Sequence, residues 1–143
     1  MVIRKFEYED LDEVARIAAT SLQEEYTIDF FLYLWQINPN GFLVAEKNGR
    51  IAGFIVAVQP SLNELRILML AVDKDYRRQK IGSMLLRELL FRFPDTRRVY
   101  LEVRTDNKEA IKFYEKNGFI IKKRINDFYT DGSPAYLMEK ILF

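Results

Sequence analysis

"YRRQKIGSML", residues 76–85, sets two arginines, an amide and a lysine in a row, then a glycine, then the start of an apolar stripe. A helix dipole is already positive at its first turn, so added cationic charge there costs stability unless an anion is bound. A phosphate fits that end of a helix, because free backbone N–H groups and the dipole both favour it. The elements on either side of this turn decide what kind of fold presents it.

Upstream, "ELRILMLAV" (64–72) predicts a long apolar strand leading into the basic turn. Downstream, "IGSMLLRELLFRF" predicts a helix stopped at Pro94, and "RRVYLEV" a strand. "NKEAIKFYEKNGF" follows as a helix with Gly118 as its C-terminal cap. "FIIKKRI" and "AYLMEKILF" read as closing strands around the turn "DGSP". Nearer the start, "MVIRKF" reads as a short strand. "DLDEVARIAATSL" reads as a helix, with Asp10 as N-cap and Glu13 three on in a capping-box-like start, and Leu11, Val14, Ile17 and Ala18 on one face. An aromatic helix, "IDFFLYLWQ", precedes the Asn-Gly hairpin formed by "FLVAEK", "NGR" and "IAGFIVAVQ". Hairpins come first and crossovers later, which predicts an α/β (α+β) fold: a mixed sheet with helices on both faces.

The chain has 143 residues, enough for one domain (1–143) with a single sizeable core. A net charge of +1 implies no general affinity for polyanions or nucleic acid, so a phosphate site must be local. The chain contains no histidine and no cysteine. That excludes thiol nucleophiles, disulfides, Ser-His-Asp chemistry and nearly all zinc sites, and no metal is expected. Acid and base work then falls to Asp, Glu, Tyr, Lys or water. "MVIRKFEYED" carries charge too early for a signal peptide, and no apolar run reaches the roughly 18 residues of a membrane span. A cytoplasmic protein without a membrane partner is expected.

Two blocks now carry a resemblance. "LAVDKDYRRQKIGSMLL" followed by "NKEAIKFYEKNGF" resembles the GNAT superfamily of acetyl-CoA-dependent N-acetyltransferases. Arg77-Arg78-Gln79-Lys80-Ile81-Gly82 is similar to its phosphate-loop motif. Asn107, Ala110, Tyr114, Gly118 and Phe119 match its second signature. "SLQEEYTIDFF", "YLEVR" and "FYTDGSPAYLM" bring the likeness nearer to RimI-like and NatA-type protein N-terminal acetyltransferases, with Leu22, Glu24 and Tyr26 matching but Gln23 and Glu25 departing. The resemblance implies a mostly antiparallel sheet of about seven strands, splayed between the fourth and fifth. It also implies acetyl-CoA as cofactor and protein or peptide N-termini as substrate, with ribosome association or a partner subunit left open.

It further implies roles for particular residues. The coenzyme A pyrophosphate would lie over Arg77, Arg78, Gln79, Lys80, Ile81, Gly82 and Ser83, with Asn107 also touching the cofactor. The pantetheine arm would pair with the backbone of Leu70, Ala71 and Val72, and an N–H near Leu70 would face the developing oxyanion. Tyr114 would give a proton to the leaving thiolate. Reference values near 10 for a phenol and 8.5 for a thiol make full transfer uphill by about 2 kcal/mol. Glu102, pointing away from Leu101 and Val103, would accept the amine's proton through water. Relatives often carry His or Tyr where Arg66 stands, and a guanidinium cannot serve as base. Glu24, Tyr26, Phe128 and Tyr129 would wall the peptide N-terminus. Lys80 is expected in the first helical turn with ordinary helical φ, although the family usually has glycine there. A lysine or small-amine acetyltransferase and a non-catalytic acyl-CoA-binding module are the competing readings.

Overall fold

Asn48 and Gly49 both take left-handed φ, 55° and 76°. Their turn joins β2 (Phe42–Lys47) to β3 (Arg50–Ser61) as the expected hairpin. The computed structural model describes residues 1–143. The remaining elements are β1 (Val2–Lys5), α1 (Leu11–Ser21), α2 (Ile28–Ile37), β4 (Glu64–Val72), α3 (Ile81–Arg92), β5 (Arg98–Arg104), α4 (Lys108–Lys116), β6 (Ile120–Ile125) and β7 (Ala135–Ile141). The strands form one mixed sheet of seven in the order β1-β2-β3-β4-β5-β7-β6. β4 and β5 are parallel, whereas β1–β2, β2–β3, β5–β7 and β6–β7 are antiparallel. The parallel ladder runs only from Glu64↔Arg98 to Arg66↔Tyr100, leaving the C-terminal parts of both strands outside it. The ladder between the fourth and fifth strands is therefore three pairs long.

The chain groups into two compact units, Met1–Gln59 with Ile67–Pro94, and Pro60–Arg66 with Asp95–Phe143. In the first, alternation along β2 divides the side chains between two layers. Phe42 and Val44 join Phe54 and Val56 of β3 in a cluster with Val14 and Ile17 of α1 and Phe31 and Leu34 of α2. Phe6 stacks on Phe42 at 4.1 Å and meets Trp35 edge-on at 5.3 Å. Leu43 and Ala45 are equally buried, on the side where β2 meets α3 and its Ile81, Leu85 and Leu89. Helices therefore cover both faces of this part of the sheet. Each of these large side chains contributes about 1.5–3 kcal/mol by leaving water.

In the second unit, Val99, Leu101 and Val103 of β5 are buried with Met138 of β7, Tyr114 of α4 and Phe119. The other face of β5 carries Arg98, Tyr100, Glu102 and Arg104, all half-buried. Asn107 caps α4, its Oδ1 accepting from Ala110 N at 3.2 Å, and Gly118 at φ 93° ends it as expected. Arg98 bonds Glu64 and Glu139 at 2.9 Å each and lies 4.2 Å over the Tyr100 ring.

One local expectation fails. Asp10 is the N-cap residue of α1, as expected, but its side chain makes no capping bond to that helix, and the box with Glu13 does not form. Instead, Arg4 binds Asp10 through two bonds of 2.7 and 2.9 Å, and Glu7 N–H donates to it at 2.8 Å. Glu13 accepts from Ile51 N–H of β3. A charge-assisted fork outcompetes a neutral N–H for the same carboxylate. No helix is long and apolar enough to cross a membrane.

Candidate active site

The segment between β4 and α3 is tied down at its start and strained at its end. Asp73 N–H donates to Ala52 O, and the Asp73 side chain accepts from Asp75 N–H and from Arg16 at 2.9 Å. The Asp75 N–H and the Arg16 guanidinium, against the opposing effect of burial, hold the Asp73 carboxyl below the usual carboxylate range. Arg77 Nε reaches Val72 O at 3.4 Å, and Lys47 bonds the Gln79 side-chain oxygen. Arg77, Arg78, Gln79 and Lys80 are exposed, whereas Ile81 and Gly82 are buried as α3 begins. The first helical bond recorded at this end runs from Met84 N–H to Lys80 O. The N–H groups of Ile81, Gly82 and Ser83 precede it, so they have no acceptor within the helix.

Lys80 corrects the sequence expectation. It is the N-cap residue at φ 61° and ψ 22°, in the left-handed region, and Arg78 is also left-handed at φ 65°. A left-handed residue with a Cβ costs roughly 1–2 kcal/mol. Local sequence disfavours this conformation for both side chains, so the packed structure around the turn sustains it. Such strain is concentrated at ligand-binding turns. With three cationic side chains and three N–H groups at one helix end, the turn has the donor set that a diphosphate requires.

Leu70 and Val72 of β4 are half-buried and Ala71 is buried. Gly53 of β3 lies so close to this strand that a Cβ there would come within 2.8 Å of Ala71 O and 3.3 Å of Val72 Cα. Absence of a side chain at Gly53 therefore sets the path of the β4 backbone, a role that sequence alone did not single out. Glu24 and Tyr26 follow α1 and help line a hollow of about 390 Å3 with Ala15, Ala18 and Leu22. Tyr26 stacks on Phe30 at 5.8 Å. Burial first, and the charge of Glu24 second, push its phenol above the usual value.

In the second unit, Glu102 is paired. Arg66 Nε and Nη2 each lie 3.0 Å from Glu102 Oε1, and the Glu102 side chain is 13% exposed. Tyr114 is buried, its ring 5.1 Å from Phe113 and 5.3 Å from Phe119. Burial pushes its phenol well above the ordinary tyrosine value, which widens the gap to a leaving thiol. Donating a strengthening hydrogen bond suits such a group better than releasing the proton outright. Phe128 and Tyr129 meet edge-on at 4.9 Å in the β6–β7 loop. Arg104 lies 4.3 Å over the Tyr129 ring and bonds Asp131 at 3.0 Å. Neither Arg66 nor Arg104 gives a sequence signal of this partnership, because each reaches a residue far along the chain.

Residues 11–119 match the acetyltransferase (GNAT) family. The chain is 37% identical to an uncharacterised N-acetyltransferase of Methanocaldococcus jannaschii, over 98% of this chain and 91% of that protein. It is 32% identical to an N-alpha-acetyltransferase of Sulfurisphaera tokodaii, over 95% and 90%. It is 34% identical to a putative [ribosomal protein bS18]-alanine N-acetyltransferase of Bacillus subtilis, over 95% and 92%. The crystal structure of Ard1 from Thermoplasma volcanium superposes with a TM-score of 0.95 at 43% identity, covering 99% of this chain and 97% of that one. The NatB acetyltransferase complex bound to CoA and MES superposes at 0.87 and 27% identity, covering both chains fully (100% and 100%).

Proposed function

The chain belongs to the acetyltransferase (GNAT) family, and from that premise we propose that it moves an acetyl group from acetyl-CoA to the α-amino group of a protein N-terminus, by direct attack within a ternary complex. Residues 1–143 act as one such domain, in the cytoplasm. The observation that carries this reading is the turn before α3, where left-handed Arg78 and Lys80 precede three N–H groups without a helical acceptor. That donor set suits the pyrophosphate of coenzyme A, and relatives of this chain are N-alpha-acetyltransferases.

Acetyl-CoA supplies an activated acyl group. The protein's part is to hold it, receive the amine's proton and stabilise charge. Arg77 to Ser83 bind the phosphates, with Asn107 as a further contact, and the backbone of Leu70 to Val72 binds the pantetheine arm. The N–H near Leu70 donates to the developing oxyanion, an interaction worth up to several kcal/mol in acyl transfer. Glu102 accepts the amine's proton through water, and Tyr114 donates a hydrogen bond to the departing sulfur. Glu24, Tyr26, Phe128 and Tyr129 line the path of the peptide.

The α-amine is the better substrate on energetic grounds. Its reference pKa is near 7.7–8.0 against about 10.4 for lysine, so neutralising lysine at pH 7 costs roughly 3.5 kcal/mol more. A site with one carboxylate base suits the cheaper deprotonation. The test is competition between a peptide with a free N-terminus and an N-blocked twin containing lysine, followed by thiol release and mass spectrometry. Acetylation of the free N-terminus alone is expected. Equal modification of the blocked twin would overturn the α-amine assignment, and absence of thiol release with either peptide would overturn catalysis itself.

A further inference from the structure

We propose that Arg66 is a positioning residue, which turns Glu102 into a one-sided proton acceptor by holding Oε1 and leaving Oε2 to the reaction. The proposal rests on Glu102 as the acceptor of the amine's proton.

The geometry of the pair is the reason. Arg66 closes the parallel ladder opposite Tyr100, and from there its guanidinium reaches Glu102. Both Nε and Nη2 converge on the single oxygen Oε1, each at 3.0 Å. An arginine fork on a carboxylate frequently engages both oxygens. The same chain contains one: Arg4 gives Nη1 to Asp10 Oδ2 at 2.7 Å and Nη2 to Oδ1 at 2.9 Å. Arg66 forgoes the second oxygen. The Nε–H hydrogen bond to Oε1, with Nη2 in ion-pair contact with the same oxygen, restrains the carboxylate at that oxygen and leaves Oε2 to the open side before substrate arrives. A lysine could not do this, because its ammonium is a point donor on a flexible stem.

The surroundings do not supply a competing clamp. On this face of the sheet, Tyr100 and Arg104 flank Glu102 along β5, and Leu137 lies opposite it on β7. Lys123 of β6 is opposite Leu137, and Glu139 lies opposite Tyr100. Arg98 is engaged by Glu64 and Glu139, and Arg104 bonds Asp131. Arg66 also carries no proton-accepting capacity of its own, so its contribution is orientation.

The experiment uses the whole chain with acetyl-CoA and a free-N-terminus peptide. It compares wild type, Arg66→Ala, Arg66→Lys, Glu102→Gln and the Arg66→Ala/Glu102→Gln double variant. For Arg66→Ala, kcat is expected to fall roughly 10- to 100-fold, the scale of a misoriented catalytic group, with both KM values nearly unchanged. Millimolar guanidinium chloride should restore part of that kcat, whereas potassium chloride at the same ionic strength should not. Arg66→Lys should fall between wild type and Arg66→Ala. In the Glu102→Gln background, losing Arg66 should cost nothing further, and guanidinium should restore nothing.

An unchanged kcat in Arg66→Ala, or a loss that guanidinium leaves untouched and that adds to the loss in Glu102→Gln, overturns the positioning role. Wild-type turnover in Glu102→Gln instead overturns the acceptor assignment. If Arg66→Ala does not fold, as judged by thermal melting, Arg66→Lys decides alone: a lowered kcat at constant KM supports the proposal, and a wild-type kcat overturns it.

Discussion

Replacing Lys80 with glycine should stabilise the free protein. Lys80 sits at φ 61° and ψ 22°, where a Cβ costs roughly 1–2 kcal/mol and glycine costs nothing sterically. Removing a cation from the N-cap of α3 relieves a further 0.3–1 kcal/mol, approximately, of dipole repulsion. Glycine's freer unfolded chain takes back about 0.4–1 kcal/mol. The balance is a gain of about 1 kcal/mol, or roughly 2–4 °C in Tm for a chain near this size. Acetyl-CoA binding should weaken a few-fold, because one exposed cation near the phosphates is lost, and the deficit should shrink at high salt. Lys80→Ala separates the two effects, since alanine removes the charge but keeps the Cβ. Scanning calorimetry should therefore place glycine above alanine by about 1 kcal/mol, the left-handed penalty less the entropy of glycine's freer unfolded chain. If glycine and alanine melt together, or glycine melts below wild type, the left-handed conformation is not stored strain and the reasoning fails.

Tyr114→Phe should lower kcat roughly 10- to 1,000-fold with little change in melting temperature, as loss of a proton or hydrogen-bond donor does; wild-type turnover would leave Tyr114 as packing alone. Gly53→Ala would place a Cβ within 2.8 Å of Ala71 O, so Tm should drop by the equivalent of about 1–3 kcal/mol, and an unchanged melt would refute the close approach. Glu24→Ala should shift relative kcat/KM among peptides by about 1 kcal/mol or more, whereas equal losses for every peptide would assign Glu24 to structure. Burial alone would raise the Asp10 carboxyl, but the Arg4 bonds and the Glu7 N–H outweigh it and hold it below the usual range. Its stabilising contribution is then complete above the ordinary carboxylate value near 3.9 and is lost as pH falls through the lowered one. The melting gap between wild type and Asp10→Asn should accordingly be constant near neutrality and close in strong acid, and a gap independent of pH would contradict the ion pair.

Elements whose cause is local were legible from residues alone. The Asn48-Gly49 turn, the Asn107 cap, the Gly118 terminus and the alternation of β5 each depend on neighbours within about four positions, and the order of elements followed from them. The two motif blocks were legible for the same reason, being short stretches of loop and first helical turn. What tertiary structure decided was every outcome in which a distant group outbid a near one. Asp10 left its helix for Arg4, and Glu13 went to Ile51 of β3. Lys80, suited by sequence to an ordinary helical turn, is left-handed in the folded chain. Tyr114 became a weaker acid once the core closed over it. Arg66 and Glu102, too far apart in sequence to suggest a pair, meet because a three-pair parallel ladder sets their register. Sequence patterns record propensities acting over one or two turns of chain. Register, burial and charge pairing arise only when strands distant in sequence are brought side by side.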